Sequence, residues 1–276
     1  MDNTTCEICA FENPKPTATA IIIKNNEILV AKRNQYPFRG EWDFVGGYME
    51  KEETPEQALR RELKEELHVD VRSMAYIGAF TGTDSYKGQK FPIISFAYLI
   101  ELEGDMILNH ENSDIAWVSL KSLDTIAFDS NQKILKHLKE KFVYDLGVVR
   151  ALVAQLDSTA IVNEQSLYQA MLEGYVSTVY DGGVLVGMGW IFPRQTMLRR
   201  QAVVEDMIVD PSQRGKGLGE KILHDLLRWA KAQGVETVEL TTNPKRVAAN
   251  SLYQKVGFQL HVTNHYLLNL QSYPTP

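Results

Sequence analysis

The chain has 276 residues, 44% hydrophobic and 23% charged, with 29 basic and 35 acidic side chains and a formal net charge of −6. This length and composition predict a soluble globular protein of one large or two ordinary domains. The acidic balance leaves no footprint for an extended nucleic acid and no basic surface for an anionic membrane, while a single nucleotide held through a metal stays compatible with it.

The opening residues, MDNTTCEICAF, contain neither a basic n-region nor an apolar h-region, so no secretory leader is expected. The longest apolar run, FPIISFAYLI, is about half a membrane span. Cys6 and Cys9 are the only cysteines, which fits a reducing cytoplasm and no disulfide framework. Cys6-x-x-Cys9 is half of a four-ligand zinc set. Two free thiols in an N-terminal arm, residues 1–16, are the preferred reading.

Residues 17–33 read as two strands around a tight Asn25-Asn26 turn. Trp42 to Val45 reads as a strand ended by Gly46-Gly47. Residues 54–68 carry strong helix signals: Thr54 as N-cap, Pro55 at the first helical position and Gln57 completing a capping box. Residues 91–101 and Ile115 to Val118 read as strands, and 131–142 as an amphipathic helix with Ile134, Leu135, Leu138 and Phe142 along one stripe. The pattern then changes. A helix over 163–174 precedes two strands around Asp181-Gly182-Gly183, a hairpin signal. VVEDMIVDP reads as a strand stopping at Pro211, SQRGKGLG as a glycine-rich turn into a helix over 216–232, VETVELTT as a strand, 245–256 as a helix, and FQLHVTNHYLLNL as a closing strand. The boundary between the halves falls near 143–147, and so short a connection predicts two domains packed together.

Two segments carry chemistry. In the helix over 54–68, Leu59, Leu63 and Leu67 form the apolar stripe, and Glu62 and Glu66 flank it, with Glu65 next. Like charges one turn apart repel, and carboxylates at a buried edge are costly unless compensated. A hard divalent cation compensates them; an ordinary solvated face with Glu–Lys pairs is the plainer alternative. The context decides between them. GYMEKEETPEQALRRELKEELHV, residues 47–69, resembles the Nudix box, matched by Gly47, Glu53, Arg61, Glu62, Leu63, Glu65, Glu66 and Val69, with His68 in place of the family's glycine. That position needs a left-handed helix end, which histidine tolerates under strain.

The resemblance implies that Glu62, Glu65 and Glu66 coordinate Mg²⁺ or Mn²⁺ near the Gly47 carbonyl, and that Arg61 and Glu53 orient the loop. The metals would neutralise a diphosphate and activate a water. Glu65 and Glu111 are the candidate general bases; a solvated loop acid is an equal reading of Glu111. Trp42, Phe80, Tyr86 and Phe91 offer faces for a base, although core or rim packing explains each as well. The N-terminal arm and the NPKP after it look like the remains of the zinc ribbon that precedes some Nudix domains. The expected substrate is a nucleoside diphosphate linked to another moiety, ADP-ribose being the model, with a nucleoside triphosphate second.

In the second half, VEDMIVDPSQRGKGLGEKIL followed by NSLYQKVGF resembles the GNAT acyltransferases, matched at Arg214, Gly217 and Gly219. Successive amides in such a turn, with a helix N-terminus behind them, form an anion cradle. The resemblance implies that Arg214, Gly215, Lys216, Gly217, Leu218 and Gly219 hold the pyrophosphate of acetyl-coenzyme A. It also implies that the strand edge at Met207, Ile208 and Val209 holds the pantetheine amides, that Asn250 faces the cofactor, and that Tyr253 protonates the departing thiolate. Glu205 and Asp206 are candidate bases, and strict strand alternation would aim only one of them at the acceptor.

The expected architecture is therefore a two-domain α+β and α/β chain. A Nudix α/β/α sandwich over 17–143 is followed by a GNAT mixed-sheet fold over 148–276. The expected activity is that of a bifunctional cytoplasmic enzyme acting on a small nucleotide and on an amine, with a homodimer as its assembly. Two other readings are a nucleotide-sensing Nudix module that regulates the acetyltransferase without turnover, and hydrolysis at a messenger-RNA 5′ end.

Overall fold

The computed structural model describes residues 13–86, 88–107, 112–142, 145–156, 162–268 and 270. Cys6, Cys9, Glu111 and the Tyr86 side chain lie outside what it describes.

The first half holds strands β1 (Lys15–Ile21), β2 (Ile23–Lys24), β3 (Glu27–Arg33), β4 (Trp42–Asp43) and β5 (Gly46–Tyr48), then helix α1 (Pro55–Leu67). Strands β6 (Asp70–Tyr86), β7 (Gln89–Glu103) and β8 (Asn112–Ser119) and helix α2 (Asp129–Phe142) complete it. Asn25 and Asn26 both take positive φ, 54° and 62°, the conformation of a tight hairpin turn and one that asparagine tolerates. One sheet runs β5-β1-β7-β6, with β1 parallel to β7; a second runs β2-β3-β4, with β8 on β3. Alternation along the strands supplies two cores. Ala18, Ala20 and Ile100 meet Leu59, Leu63 and Leu67 of α1, while Ile21, Ile28 and Leu99 meet Ile134, Leu135 and Leu138 of α2.

One expectation is corrected here. Gly46-Gly47 does not end a strand running from Trp42 to Val45. Instead β4 pairs with β3, and the chain crosses to pair β5 with β1. Gly46 makes the crossing possible: its φ is 145°, and a Cβ there would lie 2.2 Å from the Ala18 carbonyl oxygen. Residues 70–86 form a 17-residue strand paired along its length with β7.

The second half contains α3 (Leu146–Val153), α4 (Glu164–Glu173), β9 (Tyr175–Asp181), β10 (Val184–Gln195), β11 (Arg200–Val209), a 3₁₀ turn (Pro211–Gln213), α5 (Leu218–Ala232), β12 (Thr237–Leu240) and α6 (Val247–Val256). Its sheet runs β12-β11-β10-β9, with only the β11–β12 pair parallel. Helices α5, through Ile222, Leu223 and Leu226, and α6, through Leu252 and Val256, cover one face; α3 covers the other through Val149 and Leu152. The expected closing strand is absent: residues 258–268 form none, and Leu260 and Val262 stand 85% and 98% exposed. A strand exists only through its ladder, and this segment pairs with no strand among the described residues.

The halves share a core. Tyr168 and Met171 of α4 join Leu138 and Phe142 of α2 in one cluster, with the Phe142 and Tyr168 rings edge to face at 5.2 Å. The Glu164 carboxylate accepts from the Asn25 and Asn26 amides at 2.8 and 3.2 Å, and the Tyr168 hydroxyl donates to it at 2.8 Å. No helix among the described residues is long and apolar enough to cross a membrane.

Candidate functional sites

Helix α1 is fixed at both ends. Thr54 Oγ1 accepts from the Gln57 amide at 3.3 Å, and Gln57 Oε1 accepts from the Thr54 amide at 2.8 Å. His68 takes the left-handed conformation at φ 58°, ψ 25°, and its Nδ1 lies 3.0 Å from the Ile107 carbonyl oxygen. The Ile107 amide in turn donates to Leu67 O at 2.8 Å, so this neighbouring segment braces the cap where the box glycine is missing.

Arg61 organises the loop in front of the helix. Its Nε and Nη2 grip the two oxygens of Glu53 at 2.8 and 3.0 Å, Nη1 reaches Glu62 at 2.8 Å, and Nη2 also donates to Tyr48 O at 3.0 Å. Hydrogen bonds from Arg61 and then the Glu50 amide hold the Glu53 carboxyl down at about 2. The Glu62 carboxylate lies against Gly47, where a Cβ would come within 2.3 Å of its Oε1. Glu66 is only 6% exposed and accepts from Asn112 Nδ2 at 2.7 Å. The Glu65 side chain is 59% exposed, 3.5 Å from Arg61. Among the described residues no three carboxylate, imidazole or thiol groups close into a cage. Two carboxylates of one helix edge nevertheless suit Mg²⁺, which takes one or two carboxylates and fills its remaining positions with water and phosphate oxygens.

A cavity of about 640 Å³ begins at Gly46, Gly47 and Tyr48 and reaches Asp43 and Asn131. Of the four aromatics proposed from sequence, Phe91 lines it. Trp42 and Phe80 pack instead against the α2-side core. The sequence reading missed Arg33, Asp43 and Asn131. Asp43 Oδ1 accepts from Asn131 Nδ2 at 2.7 Å and from the Phe44 amide at 2.9 Å, and Oδ2 pairs with Arg33 at 3.0 Å. Burial pushes the Asp43 carboxyl up to about 6, against the opposing pull of Arg33 and Asn131. A lone carboxylate in the short run Trp42-Asp43-Phe44 was the available signal.

In the second half, β11 pairs with β12 only from Gln201 to Val204. Beyond Val204 no strand among the described residues pairs with 205–209 on that edge, which includes Met207, Ile208 and Val209. The opposite ladder jumps from Met188↔Ile208 to Trp190↔Glu205, and Asp206 takes φ 49°. This bulge breaks the strict alternation assumed from sequence. Gly189 faces it and has room for no side chain: a Cβ there would meet Ile222 at 2.9 Å and Met207 at 3.0 Å. Burial raises the Glu205 carboxyl, helped by the Asp206 charge and opposed by His265. Burial also raises the Tyr253 hydroxyl, opposed by Arg246 and helped by Glu205. The Glu205-Asp206 pair and Tyr253, far from it in sequence, therefore share one electrostatic neighbourhood, to which His265, not selected by sequence reasoning, also belongs.

The glycine turn has the form of a cradle. Gly215 and Gly217 take φ 78° and 76°, and an added Cβ at either would meet nothing within 4 Å. Arg214 Nε donates to Val209 O at 3.0 Å, Lys216 Nζ reaches Gln213, and α5 starts at Leu218 without a side-chain cap. Leu218 packs into the α5 core, and Gly219 lies against Leu252. Asn250 Nδ2 donates to Asn243 O at 3.1 Å and Arg246 O at 2.9 Å, so its N–H groups anchor the loop before α6.

The NUDIX domain model matches residues 14–139, and the Acetyltransferase (GNAT) family model matches residues 142–258. An ADP-ribose pyrophosphatase of Methanocaldococcus jannaschii is 30% identical over 127 residues, covering 46% of this chain and 73% of that protein. A nucleoside triphosphatase NudI of Enterobacter sp. is 35% identical over 116 residues, 38% of this chain and 82% of its own. A glucosamine 6-phosphate N-acetyltransferase of Trypanosoma brucei brucei is 29% identical over 155 residues, 54% of this chain and 94% of its own.

Proposed function

The chain belongs to the Nudix hydrolases through residues 14–139 and to the GNAT acetyltransferases through residues 142–258, and from that premise we propose a bifunctional enzyme. One activity is metal-dependent hydrolysis of a nucleoside diphosphate linked to another moiety, of the ADP-ribose type. The other is acetylation of an amine from acetyl-coenzyme A. The observation that carries the hydrolase reading is the Arg61 fork, which ties Glu53, Glu62 and the Tyr48 carbonyl into one unit at the cavity mouth.

Glu62 and Glu66, with Glu65 at the rim, would hold Mg²⁺ or Mn²⁺. When bound, the metal would neutralise diphosphate charge and acidify a water. Arg61 keeps Glu62 from turning to solvent, and Asn112 does the same for Glu66. Glu65, exposed at the rim beside Arg61, would serve as the general base. In the acetyltransferase half, the unpaired edge at 205–209 would bind pantetheine amides, and the amides of 214–219 the pyrophosphate. The amine nitrogen attacks the thioester carbonyl; the C–N bond forms, and the C–S bond breaks. Glu205, its carboxyl raised, accepts the amine proton, and Tyr253 gives its hydroxyl proton to the thiolate.

The test is hydrolysis of a panel of nucleoside diphosphate derivatives with Mg²⁺ or Mn²⁺, followed as phosphate release after a coupling phosphatase. Turnover of one compound is expected, with a loss of about 10²-fold or more in Glu66→Gln. Absence of turnover in folded protein would favour the sensing reading, which has its own support: α2 lines the cavity at Asn131 and packs on α4 through Phe142. For the other half, thiol release from acetyl-coenzyme A across an amine panel should slow by about 10²-fold in Tyr253→Phe.

A further inference from the structure

In the second half, Glu205 is paired with Trp190 across the β10–β11 ladder, and Val203 with Phe192. Residues directly opposite in an antiparallel ladder send their side chains to the same face, with Cβ atoms about 4.5–5.5 Å apart. The Glu205 carboxyl and the Trp190 indole are therefore neighbours. Asp206 is placed differently: the ladder jumps from Trp190↔Glu205 to Met188↔Ile208, and Asp206 at φ 49° belongs to the bulge between them. The pairing singles out Glu205 as the acid beside the indole.

The indole is held from two sides. Its Nε1 donates to Ala170 O of α4 at 2.8 Å, and its ring stacks on that of Phe192 at 4.7 Å with 26° between the planes. Gly174, which ends α4, leaves room for this contact, since a Cβ there would come within 2.8 Å of the Trp190 Nε1 and 2.2 Å of Ile191 O. Helix α4 is itself anchored by Tyr168 and Met171 in the core shared with α2, so the indole rests on a firm support. Tryptophan has a single N–H, and here it is spent on α4. What remains toward Glu205 is an apolar ring, which excludes water without pairing the carboxylate. This agrees with burial as the first cause of the raised Glu205 carboxyl; the titratable groups around it are Asp206 on its own strand, Tyr253 of α6 and His265.

We infer that Trp190 is a positioning residue for acetyl transfer, a fixed dry wall against Glu205 that makes this carboxylate, rather than Asp206, the acceptor of the amine proton. This rests on the reading of residues 142–258 as an amine acetyltransferase with Glu205 as its base. A carboxylate shielded from water on one side takes up a proton more readily than a solvated one, and a wall that does not move keeps its oxygens turned toward the substrate. Trp190 acts through Glu205 and touches neither acetyl-coenzyme A nor the amine.

The experiment titrates the full chain by NMR, following the indole N–H signals of its 4 tryptophans. The Trp190 signal is the one lost in Trp190→Phe. It should move with pH in a step that is absent from Glu205→Gln. In Trp190→Ala the carbon-13 signal of the Glu205 carboxyl should titrate lower, nearer the ordinary 4.5, and thiol release from acetyl-coenzyme A with an amine that turns over should slow by about tenfold or more. Trp190→Phe keeps a ring and loses the anchor, so its rate should stay within about fivefold of wild type, the worth of one hydrogen bond. A merely structural role would lower the rate in Trp190→Ala and leave the Glu205 titration where it was. If Trp190→Ala fails to fold, the comparison of wild type with Glu205→Gln still decides. A Trp190 signal indifferent to Glu205, or an unchanged Glu205 titration in folded Trp190→Ala, overturns the inference and leaves the acetyltransferase reading intact. No thiol release with any amine overturns that reading, and the inference falls with it.

Discussion

Replacing Gly47 with alanine isolates the placement of Glu62 from the stability of the fold. The backbone at Gly47 is not in the left-handed region, so alanine fits its φ. The new Cβ would lie 2.3 Å from Glu62 Oε1, 2.6 Å from its Cδ and 2.9 Å from Oε2. To reach an ordinary contact near 3.5 Å, the carboxylate must retreat by roughly 1 Å. That displacement pulls it away from Arg61 Nη1, now at 2.8 Å. A misplacement of about 1 Å in a reacting constellation costs on the order of 10²-fold in rate. Stability should move little, because the obstacle is the end of a flexible side chain and alanine reduces unfolded-state entropy by about 0.4–1 kcal/mol. Gly46→Ala is the control. There φ is 145°, and the Cβ would meet the Ala18 carbonyl oxygen at 2.2 Å, which is backbone of the β1–β5 ladder. The strained backbone alone costs about 1–3 kcal/mol. Urea unfolding and hydrolysis rates, measured side by side, should show Gly47→Ala folded and slow and Gly46→Ala destabilised. Hydrolysis by Gly47→Ala within about threefold of wild type, well short of the 10²-fold expected, would refute the argument. So would unfolding as severe as that of Gly46→Ala.

Arg61→Lys removes the planar fork that holds both oxygens of Glu53, and hydrolysis should fall by about 10–100-fold; a wild-type rate would show that the fork does not organise the loop. Glu164→Ala deletes the acceptor for two turn amides and for the Tyr168 hydroxyl. A loss of about 1–2 kcal/mol is expected, in one cooperative urea transition, because α2 and α4 share a core; two separated transitions would contradict that coupling. Asp43 gives a pH signature. Its folded value, about 6, lies above the ordinary 3.8, so its stabilising contribution is complete below pH 3.8 and is lost as pH rises through 6. A shift of about two units corresponds to roughly 3 kcal/mol. Unfolding free energies of wild type relative to Asp43→Asn should therefore fall between pH 4 and pH 7, and parallel profiles would exclude a raised Asp43.

Local chemistry alone determined much of this protein. Thr54, Pro55 and Gln57 announce the start of α1, and Leu59, Leu63 and Leu67 fix which side is buried. Asp181-Gly182-Gly183 announces a hairpin because only small or αL-tolerant residues turn so tightly. The box and the glycine turn were legible for the same reason: each packs its chemistry into one short segment. What tertiary structure decided lies in pairings of distant residues. β6, with its glycines and a TGTDS run that looks like a turn, is a strand because β7 lies beside it for its whole length. Residues 258–268 are as strand-like in sequence and form none, since a ladder needs a second strand. The bulge at Asp206, the Glu164 bridge to Asn25 and Asn26, and the Asp43–Asn131 floor each join groups whose sequence separation hides them. Their energetics depend on burial and hydrogen-bond geometry, which exist only once the chain has closed around them.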